Sequence, residues 1–254
     1  MRDCVCLILA AGQGTRMKSD LAKVLHPICG KPLVRYVVES AQQAGLERII
    51  VVIGHQAEQV KRALSCLKLD FALQAEQKGT GHAVMIAEPL IGNLDGDLLV
   101  LYGDVPLIQP ATIRALLQKH RDDANACTML TTILDDPGAY GRVARDAQGK
   151  VVKIVEHKDA TAEERAIKEI NPAIYCFDNP ALQRALQQLT PNNKQGEYYL
   201  TDVIAVFASQ RLPVAAVVVA DSREVLGINT PDELAGCERY IKGISSADGM
   251  VDHG

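Results

Sequence analysis

The sequence predicts an α/β fold, a mixed and mainly parallel sheet with helices on both faces. Three observations carry that reading. Apolar runs rich in β-branched residues recur at 4–9, 49–53, 98–102 and 127–133. Segments with apolar residues at helical spacing separate the first three, and another helical pattern precedes the fourth. Two glycine-containing turns, one around Gly12 and one at Gly103-Asp104, directly follow strands, where ligands bind in open sheets of this kind. At 254 residues and 48% hydrophobic, the chain can bury a substantial core within one elaborated domain.

The first strand, 4–9, runs into the loop Leu9-Ala10-Ala11-Gly12-Gln13-Gly14-Thr15-Arg16-Met17, with Lys23 a few residues on. Helices are read at 33–44, 57–67, 80–87 and 113–121; in the second, Val60, Ala63, Leu64 and Leu67 share one face. Pro32 and Pro89 read as helix edges. After about residue 137 the rhythm shortens: strands at 142–145, 150–156 and 170–176 surround a charged insertion at 157–169. A lobe over 137–180, covering the ligand edge of the sheet, is expected. Helical patterns return at 181–189 and 200–208, a strand follows at 213–219, and a last helix, 231–240, is capped by Thr230. The domain is therefore placed at 1–243, with a polar tail over 244–254 expected to be mobile.

Composition narrows the function. A net charge of −4 with both signs mixed leaves no broad basic surface for nucleic acid. Seven scattered cysteines (Cys4, Cys6, Cys29, Cys66, Cys127, Cys176, Cys237) without a C-x-x-C pair read as reduced, buried thiols rather than a disulfide frame or zinc site. No segment approaches the ~20 apolar residues of a membrane span and no leader pattern opens the chain, so a cytoplasmic protein with a small-molecule partner is expected.

In the first loop, small residues let backbone amides approach an anion while Arg16 and Lys23 supply positive charge, which suits a nucleoside triphosphate. It is neither a Walker loop nor a dinucleotide fingerprint, which needs a third glycine where Met17 stands. Taken alone, it is also compatible with a plain glycine-rich turn. Asp104 follows the strand 98–102 and could hold Mg²⁺ through one oxygen while phosphates and water complete the octahedron, or could simply be a turn residue.

Several stretches together resemble one family: 9–23 (LAAGQGTRMKSDLAK), 74–82 (QAEQKGTGH), 101–107 (LYGDVPL), Gly141-Arg142, 155–160 (VEHKDA), 169–171, 196–202 (GEYYLTD) and 227–229. They are similar to the uridylyltransferase domain of the bacterial bifunctional N-acetylglucosamine-1-phosphate uridylyltransferase/glucosamine-1-phosphate acetyltransferases. The resemblance implies a Rossmann-like nucleotidyltransferase (glycosyltransferase-A-like) fold with a sugar-binding lobe. It implies transfer of UMP from UTP to N-acetylglucosamine 1-phosphate, a step toward peptidoglycan precursors, with Mg²⁺ held by Asp104 and Asn229. Arg16, Lys23 and Asp104 would be catalytic. Leu9, Ala10, Ala11, Gly12, Gly14, Thr15, Arg16, Lys23, Gln74, Gln77, Gly79 and Thr80 would bind the nucleotide, the two glutamines reading uracil because an amide matches its imide edge. Tyr102, Gly103, Gly141, Glu156, Asn171, Tyr199 and Thr201 would hold the sugar. A sugar phosphate is largely dianionic near neutral pH, its second pKa being about 6, so no protein base is required.

Two departures stand out. Ala22 precedes Lys23 where the family has proline, which would loosen the loop, and Asn171-Pro172-Ala173 replaces the common Asn-Thr-Gly, which puts sugar choice in question. The chain contains no hexapeptide repeats of the family's β-helix, so acetyl transfer and the trimer contacts are expected to be absent and a monomer or weak oligomer to result. Rival readings are a relative acting on another nucleotide or sugar phosphate, and a catalytically idle nucleotide-binding module.

Overall fold

Strand β1 (Cys4–Ala10) organises the molecule because both of its faces are apolar: Val5, Leu7 and Leu9 enter one core, and Cys6, Ile8 and Ala10 the other. The computed structural model describes residues 2–248. After β1 come a short hairpin, β2 (Pro27–Ile28) and β3 (Lys31–Pro32), then α1 (Leu33–Gln43), β4 (Arg48–Ile53), α2 (Ala57–Ala63), β5 (Asp70–Leu73), α3 (Thr80–Ile91), β6 (Asp97–Tyr102), α4 (Pro110–Asp122) and β7 (Cys127–Ile133). The second half comprises β8 (Gly141–Arg145), β9 (Val151–Val155), α5 (Ala162–Arg165), β10 (Glu169–Asn171), β11 (Tyr175–Asp178), α6 (Asn179–Leu186), α7 (Asp202–Ser209), β12 (Val214–Val218) and α8 (Pro231–Asp248).

One mixed sheet runs β5-β4-β1-β6-β11-β7-β10-β8-β9, with β12 alongside β7. β5, β4, β1 and β6 are parallel, as is β12 against β7, whereas β11 lies antiparallel between β6 and β7. β10, β8 and β9 extend the sheet by antiparallel pairing, and the stretch that holds them is called the lobe below. Helices α3, α6 and α7 bury Val84, Leu182 and Phe207 against one face, and α1, α2 and α4 bury Val37, Val60 and Leu116 against the other. Each such fully buried side chain is worth about 1.5–3 kcal/mol, so the two cores hold the strand ends in fixed register.

The sequence reading needs five adjustments. The strand expected at 170–176 is two strands, because Pro172 offers no N–H and Ala173 adopts φ +66°, leaving β10 and β11 separated by a kink. Pro89 lies inside α3, in its last turn, rather than at an edge. Strand β5 has only four residues and no apolar run long enough to announce it. Helix α8 continues past the expected end to Asp248, taking in 244–248 of the supposed tail, while 249–254 lie outside the described residues. Its capping is as expected and fuller: Thr230 Oγ1 accepts from Glu233 N at 3.2 Å, and Glu233 Oε2 accepts from Thr230 N at 3.2 Å. All seven cysteines are free, but Cys29 and Cys66 are exposed, since both fall in turns rather than in core elements.

Candidate active site

The carboxyl ends of β1, β4, β5 and β6 deliver the first half of the site. β1 ends at Ala10-Ala11-Gly12, β6 at Gly103-Asp104, and Gln74 extends the β5 ladder by donating its N–H to Ile53 O at 2.8 Å. A cleft of about 290 Å³ opens there, lined by Leu9, Ala10, Ala11, Gly12, Gln74, Gln77 and Gly79 among others. A second cleft, of about 680 Å³, lies between the sheet, the lobe and α8, lined by Tyr140, Gly141, Glu156, Asn171, Thr201 and Asn229 among others. Lys23, Thr80, Tyr102 and Asp104 line both. The two clefts therefore meet at a lysine and an aspartate.

At that junction Lys23 Nζ donates to Asp104 Oδ2 and, at 3.0 Å, to Asn229 Oδ1, which also accepts from Arg16 at 2.8 Å. A carboxylate oxygen and an amide oxygen thus converge on one ammonium. Oxygen donors of this kind suit a hard divalent cation, and the donor set fits one. Among the described residues no group of three or more His, Cys, Asp or Glu could hold a metal, so phosphate and water oxygens would have to complete the shell. Asn229 is fixed from behind by its amide, which donates to Gly227 O at 2.9 Å, and Asp104 by its carbonyl, which accepts from Ile228 N at 2.8 Å.

The structure separates the two glutamines sharply. Gln77 is exposed, whereas Gln74 is 3% exposed and its Nε2 lies 3.1 Å from Gly79 O and 3.0 Å from His82 Nδ1. On the lobe, Glu156 Oε1 accepts from Thr201 Oγ1 at 3.1 Å; burial, with Asp202, Asp159 and Glu197 nearby, pushes its carboxyl above the usual range. Asn171 is buried, with Nδ2 donating to the Tyr175 hydroxyl at 2.6 Å and Oδ1 accepting from Ala173 N at 3.0 Å. Burial likewise raises Tyr102.

Of the residues singled out in the sequence, Tyr199, Gly103, Gly14 and Thr15 line neither cleft. Tyr199 is buried and its hydroxyl is shared between Gln195 Nε2 at 2.7 Å and Asp159 Oδ2 at 3.3 Å. Ala22 does not leave a loose loop: its N–H donates to Gln56 Oε1 at 2.8 Å, and Gln56 Nε2 donates to Asp20 O at 2.7 Å. A proline there would forfeit the first bond. Gly54 and Tyr140 were missed by the sequence reading, and Gly227 was matched but given no role. A β-carbon on Gly54 would stand 2.7 Å from Gln77 Nε2 and 2.9 Å from Ala11 Cβ, so only glycine lets these two loops meet. The strand-end position of Gly54, after β4, was the available signal.

Residues 5–237 match the family described as nucleotidyl transferase. The chain belongs to the nucleotidyl transferase family. It is 49% identical over 236 residues to the "Bifunctional protein GlmU" of Bacillus licheniformis, covering 93% of this chain and 52% of that protein. Identity to the protein of the same name from Geobacillus thermodenitrificans is 51% over 236 residues, covering 93% and 51%, and to that of Acetivibrio thermocellus 48% over 242 residues, covering 95% and 52%. The chain thus spans about half the length of these relatives. A solved UDP-glucose pyrophosphorylase complexed with UDP-glucose superposes with a TM-score of 0.75 at 20% identity, covering 96% of this chain and 99% of that one, and so shares the nucleotidyl transferase fold. Among the described residues no helix is long and apolar enough to cross a membrane.

Proposed function

We propose that this nucleotidyl transferase catalyses transfer of UMP from UTP to N-acetylglucosamine 1-phosphate, yielding UDP-N-acetylglucosamine and pyrophosphate. The observation that carries the reading is the meeting of two clefts at Lys23 and Asp104. The smaller cleft takes the nucleoside: backbone of Leu9, Ala10, Ala11 and Gly12 meets the ribose and phosphates, while Gln77, beside buried Gln74, faces uracil. Gly79 and Thr80 close that side. The larger takes the sugar, with Tyr102, Glu156, Asn171 and Thr201 offering hydroxyl and amide partners and Gly141 leaving room for the ring. Gly14, Thr15, Gly103 and Tyr199 act behind the linings, as supports.

A phosphate oxygen of the sugar phosphate attacks the α-phosphorus of UTP; the new P–O bond forms as the bond to the β-phosphate oxygen breaks, and pyrophosphate leaves with that electron pair. Arg16 and Lys23 draw two mutually repelling anions together and balance charge on the leaving group. Asp104 and Asn229 would hold Mg²⁺, whose charge offsets that accumulating on the phosphoryl oxygens. The relatives named GlmU support the substrates. A cytoplasmic monomer or weak oligomer, without nucleic-acid or membrane partners, completes the proposal.

The test is pyrophosphate release from a panel of nucleoside triphosphates and sugar 1-phosphates with and without Mg²⁺. UTP with N-acetylglucosamine 1-phosphate should be preferred and chelation should stop turnover. Turnover of another pair in preference would reassign the substrates, and binding of UTP without turnover of any pair would favour an idle module.

A further inference from the structure

Tyr140 stands at a place the reaction does not obviously need. It ends the loop that leads into β8, next to Gly141, and lines the larger cleft. Its hydroxyl accepts from Gly227 N at 3.1 Å and reaches Gly227 O at 3.5 Å, a contact spanning 87 residues of sequence. Gly227 is the hub of the opposite wall. Its carbonyl accepts from the side chain of Asn229, a β-carbon on it would press on the Asp104 carboxylate at 3.2 Å, and the next amide, Ile228 N, donates to Asp104 O.

The loop itself is tied into one unit. The Arg142 guanidinium, 2% exposed, donates to four main-chain carbonyls: Pro137 at 3.5 Å, Gly138 at 3.0 Å, Arg165 at 3.2 Å, and Tyr140. Tyr140 N also donates to Pro137 O at 3.2 Å. Across the sheet, Gly141 is in register with Asn171. Anything that seats on Gly141 and Asn171 therefore presses on the segment that carries Tyr140, and a hydroxyl that burial pushes up to about 12 stays protonated, able to accept and donate at once.

We propose that Tyr140 is a positioning residue: its grip on Gly227 transmits the seating of the sugar phosphate on the lobe to Asn229 and Asp104, so that sugar phosphate and divalent cation tighten each other's binding. The inference rests on the substrate reading above. Coupling of this kind is reciprocal by linkage.

The experiment uses Mn²⁺ as the probe, titrated by electron paramagnetic resonance into the protein with a non-hydrolysable UTP analogue, with and without N-acetylglucosamine 1-phosphate. In the wild type the sugar phosphate should tighten Mn²⁺ by at least about 5-fold, the lower end of ordinary coupling. In Tyr140→Phe that ratio should fall toward 1, a loss within the roughly 3- to 10-fold worth of one neutral hydrogen bond. Hydrogen exchange at 226–229 should slow on adding sugar phosphate in the wild type and not in the variant. Arg142→Lys, which keeps the charge but not the fan of donors, should lower the ratio partly and serves if Tyr140→Phe does not fold. An active wild type without coupling, or a coupling ratio unchanged in the variants, overturns the inference. A wild type that turns over no nucleotide with this sugar phosphate overturns the substrate reading, and this inference with it.

Discussion

Replacing Gly227 by alanine separates catalysis from stability. The added β-carbon would lie 3.2 Å from Asp104 Oδ2, 3.4 Å from its Cγ and 3.6 Å from Oδ1, tight enough that the carboxylate must give way by a few tenths of an ångström. Asp104 cannot retreat freely, because Lys23 holds the same oxygen and the Asp104 carbonyl is committed to Ile228 N. The backbone, by contrast, accepts alanine: Gly227 is absent from the left-handed conformations found at other glycines. There the substitution should add about 0.4–1 kcal/mol of stability by restricting the unfolded chain. A misplacement of ~1 Å at reacting groups costs on the order of 10²-fold, so a shift of roughly a third of that should cost about 3- to 10-fold in kcat. That is near 1 kcal/mol of transition-state stabilisation, about tenfold being 1.4 kcal/mol. The assay is pyrophosphate release at saturating substrates across a cation titration, run beside a thermal melt. The expected pair of results is a lowered kcat with an unchanged or raised Tm. Wild-type kcat throughout would refute the claim that this glycine exists to let Asp104 sit where it does, and a Tm lower by several degrees would show that it serves folding instead.

Three further sets of substitutions probe other links. Gln77→Ala should relax discrimination between UTP and CTP with little effect on Tm, whereas Gln74→Ala should also destabilise by about 1–3 kcal/mol because it strips partners from a buried network; identical profiles for the two would contradict the division. Ala173→Gly should stabilise by up to about 1 kcal/mol, since alanine at φ +66° carries roughly 1–2 kcal/mol of steric cost offset by glycine's greater entropy loss. Made together with Pro172→Thr, it should also raise the preference for N-acetylglucosamine 1-phosphate over glucose 1-phosphate, and an unchanged ratio of kcat/KM would mean that the kink does not shape the sugar cleft. His120 is buried and held neutral, its ring pushed below the usual imidazole range by burial more than Asp97 raises it. The unfolded chain therefore takes up a proton first as pH falls through about 6.5, and stability should drop by up to ~1.4 kcal/mol per pH unit from there toward the folded pKa. Urea titrations from pH 7.5 to 5 should show that slope flattened in His120→Asn, and an identical slope would assign the loss elsewhere.

What the sequence revealed, and what it hid, follows from the range of the interactions involved. Strands β1, β4 and β6 were legible because burial on both faces demands apolar runs, and β7 because its threonines are β-branched; the Gly12 loop and Asp104 follow strands of this kind, but their roles came from the family resemblance. The cap at Thr230 is equally local. Gly227 against Asp104, Tyr140 against Gly227 and Gly54 against Gln77 are contacts between distant segments, and no local pattern encodes which glycine a far side chain will approach. The same holds for Ala22, whose missing ring looked like a weakness until Gln56 was found to use the amide that a proline would lack. Arg142 is the extreme case: a buried guanidinium satisfied by main-chain carbonyls has no sequence signature beyond its own letter.

The charge layout of the larger cleft bears on how a sugar phosphate would enter it on the proposed reaction. Arg16 and Lys23 lie at the end shared with or facing the nucleotide cleft, while Glu156 lies on the lobe, with Asp159, Asp202 and Glu197 close enough to act on its carboxyl. A dianionic ligand entering backwards would bring its phosphate toward carboxyl groups, and two unit charges 4 Å apart repel by about 4 kcal/mol at an effective dielectric of 20. Entering correctly, it presents phosphate to the two cations and hydroxyls to Glu156, Thr201 and Asn171, groups that hydrogen-bond without needing charge. On the proposed reaction this layout would favour entry with the phosphate toward Arg16 and Lys23, whose charge Asp104 offsets only in part, and would leave the nucleophilic oxygen facing the α-phosphorus. Positioning and electrostatics would then suffice for the proposed reaction without a protein base, since a sugar phosphate is largely dianionic near neutral pH.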